Sequence, residues 1–256
     1  MPAYLLFQLY GPMQSYGGVC PGEIRDSGDH PAKSAVLGLI AGALGIERDQ
    51  EDLLAELATG YWFAVRQDVP GTPLLDYHTV QTRPGKRGRF ASRRHELQSG
   101  LKPGESPLTI LSTRHYLQDA LFTACLRPVD ESPPHTLEAL RQALEHPVFA
   151  PYLGRKSCPL ALPMNPMVAQ AASLVEAFAV YPPERSDHSD RPDRKVWRQL
   201  GGQWRTSVRL FWEGPDGPEP GHEVVRRDAL LHRGRWQYRE RIESECALPT
   251  ARREEA

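Results

Sequence analysis

The order of strand and helix patterns in the N-terminal part of this sequence is the feature that most restricts its fold. Apolar residues alternate over Tyr4–Tyr10 and again over Tyr61–Val69, which predicts two strands, the first of them half-buried. Between them, Pro31–Gly45 carries apolar residues at helical spacing, with proline near its start and glycine at its end. A shorter helix is predicted over Gln50–Leu57. The chain is therefore expected to begin with a β, α, β unit.

Two further β-rich segments follow, Leu108–Tyr116 and Leu121–Arg127, and we predict that they form an antiparallel pair. A helix between Pro134 and Pro147 comes next. This order predicts an α+β fold with a ferredoxin-like (RRM/RAMP-type) βαββαβ sheet, in which a projection precedes the third strand. The last strand is not evident, because Tyr152–Pro159 is rich in turn residues.

The C-terminal part predicts a smaller β-rich region. Val175–Tyr181, Trp204–Trp212 and His222–Arg227 have strand-like sequences, and residues 182–194 have the Pro, Ser, Asp and Arg content of a loop. We therefore predict this division of the chain: residues 1–162 form the ferredoxin-like domain with a basic thumb at about 81–107, residues 163–248 form a small β-rich region, and residues 249–256 form a disordered tail.

Positive charge is concentrated in one segment. The chain has 31 Lys and Arg against 32 Asp and Glu, yet Gln81–Lys102 contains seven basic residues and one acidic residue. A net charge of +6 in one glycine- and proline-containing stretch predicts a long loop or extended hairpin that binds a polyanion. The alternative is a solvated loop without a binding function.

Several classes of protein are excluded by composition. The longest apolar run, Ala35–Ile46, is too short to span a bilayer, and the N-terminus lacks the basic start of a signal peptide. The four cysteines lie far apart without a CxxC motif, which argues against disulfides and against a cysteine-based zinc site. We therefore expect a cytoplasmic protein without a cofactor, a metal or a membrane contact.

Two places in the sequence are candidates for holding phosphate groups. The predicted helix that follows Pro31 begins with Lys33 and Ser34, and Arg25 lies in the approach to it, so its free N–H groups can bind an anion. The alternative is that Lys33 points into solvent. Gly154-Arg155-Lys156-Ser157 lacks the glycine spacing of a nucleotide-binding P-loop, but such a loop can still follow a sugar-phosphate backbone.

Histidines beside tyrosines and basic residues leave an enzymatic alternative open. His78 and His115 are the residue types that a metal-independent ribonuclease uses as acid and base. The sequence contains no GxSxG, HExxH or paired-carboxylate motif, so hydrolases and metalloenzymes of those kinds have no support. A third hypothesis is an interaction module whose basic segment contacts an acidic protein.

Five short motifs resemble one known family in order and spacing over about residues 3–162. The sequence is similar to the CasD family of RAMP-superfamily subunits, which belong to the type I-E CRISPR surveillance complex Cascade. Val225–Asp228 and Arg235–Arg239 match that family's C-terminal signature more loosely. The five motifs are Leu9–Gly17, Pro31–Leu39, Asp76–Val80, Tyr116–Ala120 and Tyr152–Leu160.

The resemblance implies a role in an antiviral ribonucleoprotein. It implies a non-catalytic RNA-binding subunit that holds the repeat-derived 5′ handle of the CRISPR RNA (crRNA). The implied partners are the backbone and large subunits, with target DNA contacted only through the complex. The precursor RNA is cut by a separate RAMP protein, although a related subfamily does process RNA. Tyr16 stands where relatives often have Trp, which keeps an aromatic stacking surface. The expected RNA contacts are Gln14, Tyr16, Arg25, Lys33, Ser34, His78, Arg83, Lys86, Arg87, Arg89, Arg155 and Lys156.

Overall fold

The computed structural model describes residues 1–18, 22–83, 89–98, 101, 104–181, 200, 207–219, 221–235 and 237–249. Lys86, Arg87, the whole of the predicted loop at 182–194, and all but the first residue of the tail lie outside these residues. The described residues form these elements in chain order: β1 (Ala3–Tyr10), β2 (Met13–Gln14), β3 (Ile24–Arg25), α1 (Lys33–Leu44), α2 (Glu51–Gly60), β4 (Tyr61–Val69), β5 (Thr72–Thr82), α3 (Arg93–Gln98), β6 (Leu108–Gln118), β7 (Leu121–Pro128), α4 (Leu137–Glu145), β8 (Met167–Gln170), α5 (Leu174–Val180), β9 (Ser207–Trp212), β10 (His222–His232) and β11 (Gln237–Pro249).

A seven-stranded antiparallel sheet forms the centre of the molecule, in the order β10-β11-β9-β4-β7-β1-β8. Leu5 and Phe7 of β1 face a core that includes side chains of α1, α2 and α4. Tyr4 and Leu6 face the other side of the sheet, where α5 packs. Strand β1 is therefore buried on both faces, whereas its alternating sequence predicted burial of one face only.

The predicted strand at Val175–Tyr181 is wrong, since this segment forms helix α5. Ser173 accepts a hydrogen bond from the backbone N–H of Glu176 and so caps the helix. Leu174, Ala177 and Phe178 are buried at helical spacing. Apolar runs of this length fit a strand or a buried helix equally well, and here the cap decides in favour of the helix.

The predicted pairing of the two segments at Leu108–Tyr116 and Leu121–Arg127 is also wrong. Strand β7 pairs with β1 and β4, while β6 belongs to a second sheet together with β2, β3 and β5. Strands β5 and β6 pair over their whole length, from Thr72 opposite Gln118 to Thr82 opposite Leu108. They form a long hairpin, and the basic segment connects the two strands at its far end. An extended hairpin was one of the two shapes predicted from the sequence. We call β5, β6 and residues 83–107 between them the arm.

The strand that the sequence did not reveal is β8, which pairs with β1 at the edge of the sheet. It has only four residues, too few for an alternating pattern to stand out. The Tyr152–Pro159 segment contains an isolated bridge between its two end residues instead. The β9–β11 strands hydrogen-bond through β9 to β4, and so they continue the same sheet. The predicted domain boundary at residue 162 stays a prediction. Within the described parts of the chain, no helix is long and apolar enough to cross a membrane.

Candidate nucleic-acid interface

An open cleft of about 1310 Å³ runs beside α1. Five of the predicted RNA contacts line it together: Tyr16, Arg25, Ser34, Arg155 and Lys156. They come from the segment after β2, from β3, from the first turn of α1 and from the turn after α4, so the fold brings together residues that are distant in sequence. Among the lining residues that the structure describes, the charged ones are Arg25, Arg48, Arg155, Lys156 and Arg233 against Asp26, Glu47 and Asp49.

The turn that carries Arg155 and Lys156 is closely tied to the rest of the molecule. The backbone N–H of Leu153 donates to the carbonyl of Cys158 at 2.8 Å, and that of Cys158 donates to Arg155 at 2.9 Å. The Arg155 guanidinium lies 4.8 Å from the ring centre of Tyr116 and donates to the carbonyl of Arg25 at 3.2 Å. Arg155 is thus positioned by a cation–π contact, whereas Lys156 is exposed at the cleft.

Gln14 and Tyr16 are buried in and behind the wall of this cleft, which corrects their predicted role as exposed side-chain contacts to RNA. Both side chains are buried. The Tyr16 hydroxyl donates to Gln14 Oε1 at 2.7 Å, and Gln14 Nε2 donates to the carbonyl of Ala120. The Tyr16 ring packs edge-on against Phe122 inside the core. The two residues support the wall of the cleft, and the aromatic stacking surface expected at Tyr16 is not available there.

Lys33 does not reach the cleft with its ammonium group, which corrects the predicted phosphate site. Its side chain is 10% exposed, its ammonium pairs with Glu213, and it donates to the carbonyl of Tyr61 at 3.0 Å. Burial lowers the pKa of Lys33, an effect that the negative charge of Glu213 opposes. The anion expected at the start of α1 is the chain's own Asp228 carboxylate, which accepts from the Lys33 backbone N–H at 2.8 Å.

The two histidines of the enzymatic hypothesis lie on opposite faces of the arm. His78 stands opposite Ser112, and His115 stands opposite Leu75, so the alternation along β6 directs the two rings to different sides. His78 Nδ1 lies 3.8 Å from Asp76 Oδ2, and His115 Nδ1 lies 3.4 Å from Asp26 Oδ1. The pair therefore does not form a joint acid–base site within this chain.

The predicted thumb contacts are described only in part. Arg83 is half-buried and Arg89 is exposed, and they stand at the two ends of the gap in the described arm. Lys86 and Arg87 lie between them, outside the described residues, so their role stays a prediction.

A buried cluster of charged side chains beside α1 was not predicted from the sequence. Arg241 donates to both oxygens of Asp228, at 2.6 and 3.0 Å, and to Glu243 at 2.5 Å. Glu243 also accepts from Arg226 at 2.9 Å. These contacts hold β10 and β11 together and tie them to the start of α1 through Asp228. The C-terminal signature at Val225–Asp228 was the one signal in the sequence for this cluster.

His30 joins this cluster through both of its ring nitrogens. Nδ1 lies 2.8 Å from Asp29 Oδ1, Nε2 lies 2.9 Å from Glu243 Oε1, and the ring stacks on Phe211 at 3.8 Å. Two carboxylate acceptors are both satisfied only if both nitrogens carry protons. Burial opposes that charge, but the hydrogen bonds and negative charges of Asp29 and Glu243 outweigh it. The pKa of His30 is therefore raised above its ordinary 6.5, and the pKa of Glu243 is lowered to about 2.

We expect the stability of the chain to fall above neutral pH because of His30. A group whose pKa is raised by folding stabilises the folded state fully below its unfolded pKa, and this contribution is lost as the pH rises through the folded pKa. In His30→Gln the loss should be absent. The measurement is the free energy of unfolding in urea at pH 6 to 9, in which one proton accounts for at most about 1.4 kcal/mol per pH unit. If the free energies of unfolding of wild type and variant change with pH in parallel, His30 is not protonated in the folded chain.

Comparisons with known proteins agree with the fold and identify a family. The family model described as CRISPR-associated protein (Cas_Cas5) matches residues 4–242. The CRISPR system Cascade subunit CasD of Escherichia coli (strain K12) is 37% identical over 198 residues, which cover 73% of this chain and 80% of that protein. Together, the family match over most of the chain and this degree of identity are sufficient to assign a family.

Two solved structures share the fold along nearly the whole chain. A chain of a CRISPR RNA-guided surveillance complex superposes with a TM-score of 0.64 at 26% identity, covering 96% of this chain and 90% of that one. A second structure, named as the crystal structure of a Cas protein, gives a TM-score of 0.57 at 26% identity and covers 96% and 95%. The chain therefore belongs to the Cas5 family of CRISPR-associated proteins.

Proposed function

We propose that this chain is the non-catalytic, RNA-binding subunit of a Cascade-type surveillance complex, where it holds the repeat-derived 5′ handle of the crRNA. The observation that carries the proposal is the cleft beside α1, in which basic side chains from four separate parts of the chain meet. The similarity to a Cascade subunit and to a chain of an RNA-guided complex supports RNA as the ligand.

The shape of the cleft suits a single strand that is bound through its backbone. Basic groups at the rim, Arg25, Arg155 and Lys156, can contact consecutive phosphates, while the Ser34 hydroxyl can hydrogen-bond to a phosphate or to a ribose 2′-hydroxyl. The arm can add contacts from Arg83 and Arg89, with Lys86 and Arg87 between them in sequence. A metal or cofactor has no part in this mechanism.

The finer architecture belongs to the same proposal. We infer a ferredoxin-like domain from the strand order β8-β1-β7-β4, which has the first and third strands of a βαββαβ unit in the centre, with α1 and α4 in the crossovers. The arm then serves as the thumb inserted before the third strand. Backbone and large subunits of the complex are the expected protein partners, and the cytoplasm is the expected location.

The double variant Arg155→Ala/Lys156→Ala tests the cleft directly. The probe is a labelled single-stranded RNA with the repeat sequence of the host's CRISPR array, titrated with the full chain at several salt concentrations. Each lost phosphate contact should lower the magnitude of the slope of log affinity against log salt by about 0.7. The slope of the double variant should therefore be smaller in magnitude by about 1.4. Affinity should fall most at low salt, because the lost contacts are ionic.

Arg141→Ala is the matched control, since Arg141 lies on α4 in ion pairs with Glu138 and Glu145 and does not line the cleft. It should leave affinity and salt slope unchanged. If the double variant keeps the wild-type slope, the cleft does not bind the RNA backbone. If the wild-type chain does not bind the repeat RNA, either alone or with its partner subunits, the function proposed here is wrong.

A further inference from the structure

The cleft exposes one large aromatic ring on a rigid support. Phe149 is 46% exposed and lines the cleft in the segment that follows α4. The backbone N–H of Phe149 donates to the carbonyl of Gly42 at 3.1 Å, and that of Val148 donates to Ala43 at 3.0 Å. These bonds satisfy carbonyls in the last turn of α1 and fix the backbone that carries the phenyl ring. An exposed phenyl ring held in this way is preorganised for contact with a ligand.

The helix leaves open space beside this ring. Gly42, which accepts the hydrogen bond from Phe149, and Gly38 one turn earlier both line the cleft. A Cβ atom at either position would have no atom within 4 Å. Three further aromatic residues, the buried Tyr16 together with Tyr152 and Tyr238, line the same cleft, and the Tyr238 hydroxyl accepts from Arg233 at 2.8 Å. The cleft thus combines flat apolar surfaces with positive charge.

We propose that Phe149 stacks on an unpaired base of the RNA bound in the cleft, while Arg155 and Lys156 hold its phosphates. The inference rests on the proposed function and extends it, because it states that the strand is held with its bases splayed against the protein. Aromatic rings beside basic groups are the usual surface for single-stranded nucleic acid. A double-stranded RNA would keep its bases stacked on one another and would not use the ring.

The charge of the surroundings favours RNA over a protein segment as the occupant. The cleft around Phe149 has five basic and three acidic side chains among the residues that the structure describes. A purely apolar partner surface would have to desolvate these charges. A nucleotide satisfies both parts of the site, with the base on the ring and the phosphate on the cations.

The test compares Phe149→Ala with Phe149→Trp in the full chain. With the repeat RNA as the probe, Phe149→Ala should lower affinity about 5- to 150-fold, and Phe149→Trp should restore it. The salt slope should stay at the wild-type value in both variants, because no ionic contact is lost. Repeat RNAs with 2-aminopurine at single positions add a direct readout: one position should be quenched by wild type and should recover its fluorescence with Phe149→Ala.

Val180→Ala provides the control, because Val180 is 49% exposed at the end of α5 and does not line the cleft. If Phe149→Ala binds RNA as wild type does while Arg155→Ala/Lys156→Ala does not, the stacking inference is wrong and the proposed function stands. If Phe149→Ala keeps RNA affinity but loses assembly with other subunits, the ring contacts a protein and the inference is also overturned. Failure of wild type to bind the repeat RNA would remove the proposed function itself.

Discussion

Arg241→Met should lower the free energy of unfolding by about 3–5 kcal/mol, the cost typical of removing one partner from a buried charge cluster. The Arg241 side chain is 8% exposed and donates to Asp228 and Glu243. Its removal takes from Asp228 the guanidinium that contacts both of its oxygens, and it leaves Glu243 with His30 and Arg226 alone. Methionine fills similar space, so the loss reports the charge and its hydrogen bonds more than a cavity. Urea denaturation of the full chain at pH 7 measures it.

Arg209→Met is the control for this prediction. Arg209 also pairs with two carboxylates, those of Asp29 and Glu245, but its side chain is 42% exposed. Water screens such a pair, so the substitution should cost only about 0–1 kcal/mol. Equal losses in the two variants would mean that burial does not decide the strength of these contacts. A loss below about 1 kcal/mol in Arg241→Met would show that the buried cluster is not what holds β10 and β11 to α1.

The elements with a strong local signal were predicted well from the sequence. Strand β4 begins and ends where the alternating pattern places it, and β1, α1 and α4 differ by only a few residues at their ends. In these segments the period of the apolar residues agrees with proline, glycine or turn residues at the ends. Local sequence and tertiary structure therefore point to the same element.

The errors arise where the structure depends on distant residues. Strands β6 and β7 are adjacent in sequence but separate into different sheets, because an alternating pattern predicts a strand and not its partner. Strand β11 was not predicted, because every second residue on one of its faces is charged instead of apolar. These residues include Arg241 and Glu243, which have partners on other parts of the chain. Strand β5 was not predicted either, and it carries exposed apolar residues on the arm.

Within the site, local sequence identified several residues of the cleft but not the direction of each side chain. Arg25, Ser34, Arg155 and Lys156 were chosen from short segments, and the fold places all four at one cleft. Lys33 comes from the same motif as Ser34 but points inward, because Glu213 supplies a carboxylate from the far end of the chain. A sequence without its fold gives no sign of such a partner.

The last expected result concerns Gly154, whose substitution should affect both stability and RNA binding. Gly154 has φ of 82°, and a Cβ at this position would overlap the backbone carbonyl oxygen of Ser15. In Gly154→Ala the turn must move away from the segment that carries Gln14 and Tyr16, which breaks the hydrogen bond from the Ser15 backbone N–H to the Leu153 carbonyl. We expect a loss of unfolding free energy of about 2–4 kcal/mol, combining left-handed strain with the displaced backbone.

Because the same turn carries Arg155 and Lys156, Gly154→Ala should also weaken binding of the repeat RNA even where the chain is still folded. The two basic side chains would be present but displaced, so affinity should fall at all salt concentrations. Gly42→Ala is the matched control for stability, since its Cβ meets no neighbour and its backbone is helical; it should be neutral or more stable by about 0.5–1 kcal/mol. Denaturation of both variants, together with RNA titration of Gly154→Ala against Arg141→Ala, separates the two effects. A Gly154→Ala chain with wild-type stability and affinity would mean that the turn does not need this close approach, and the position of Arg155 at the cleft would then have to come from its contacts with Tyr116 and the Arg25 carbonyl.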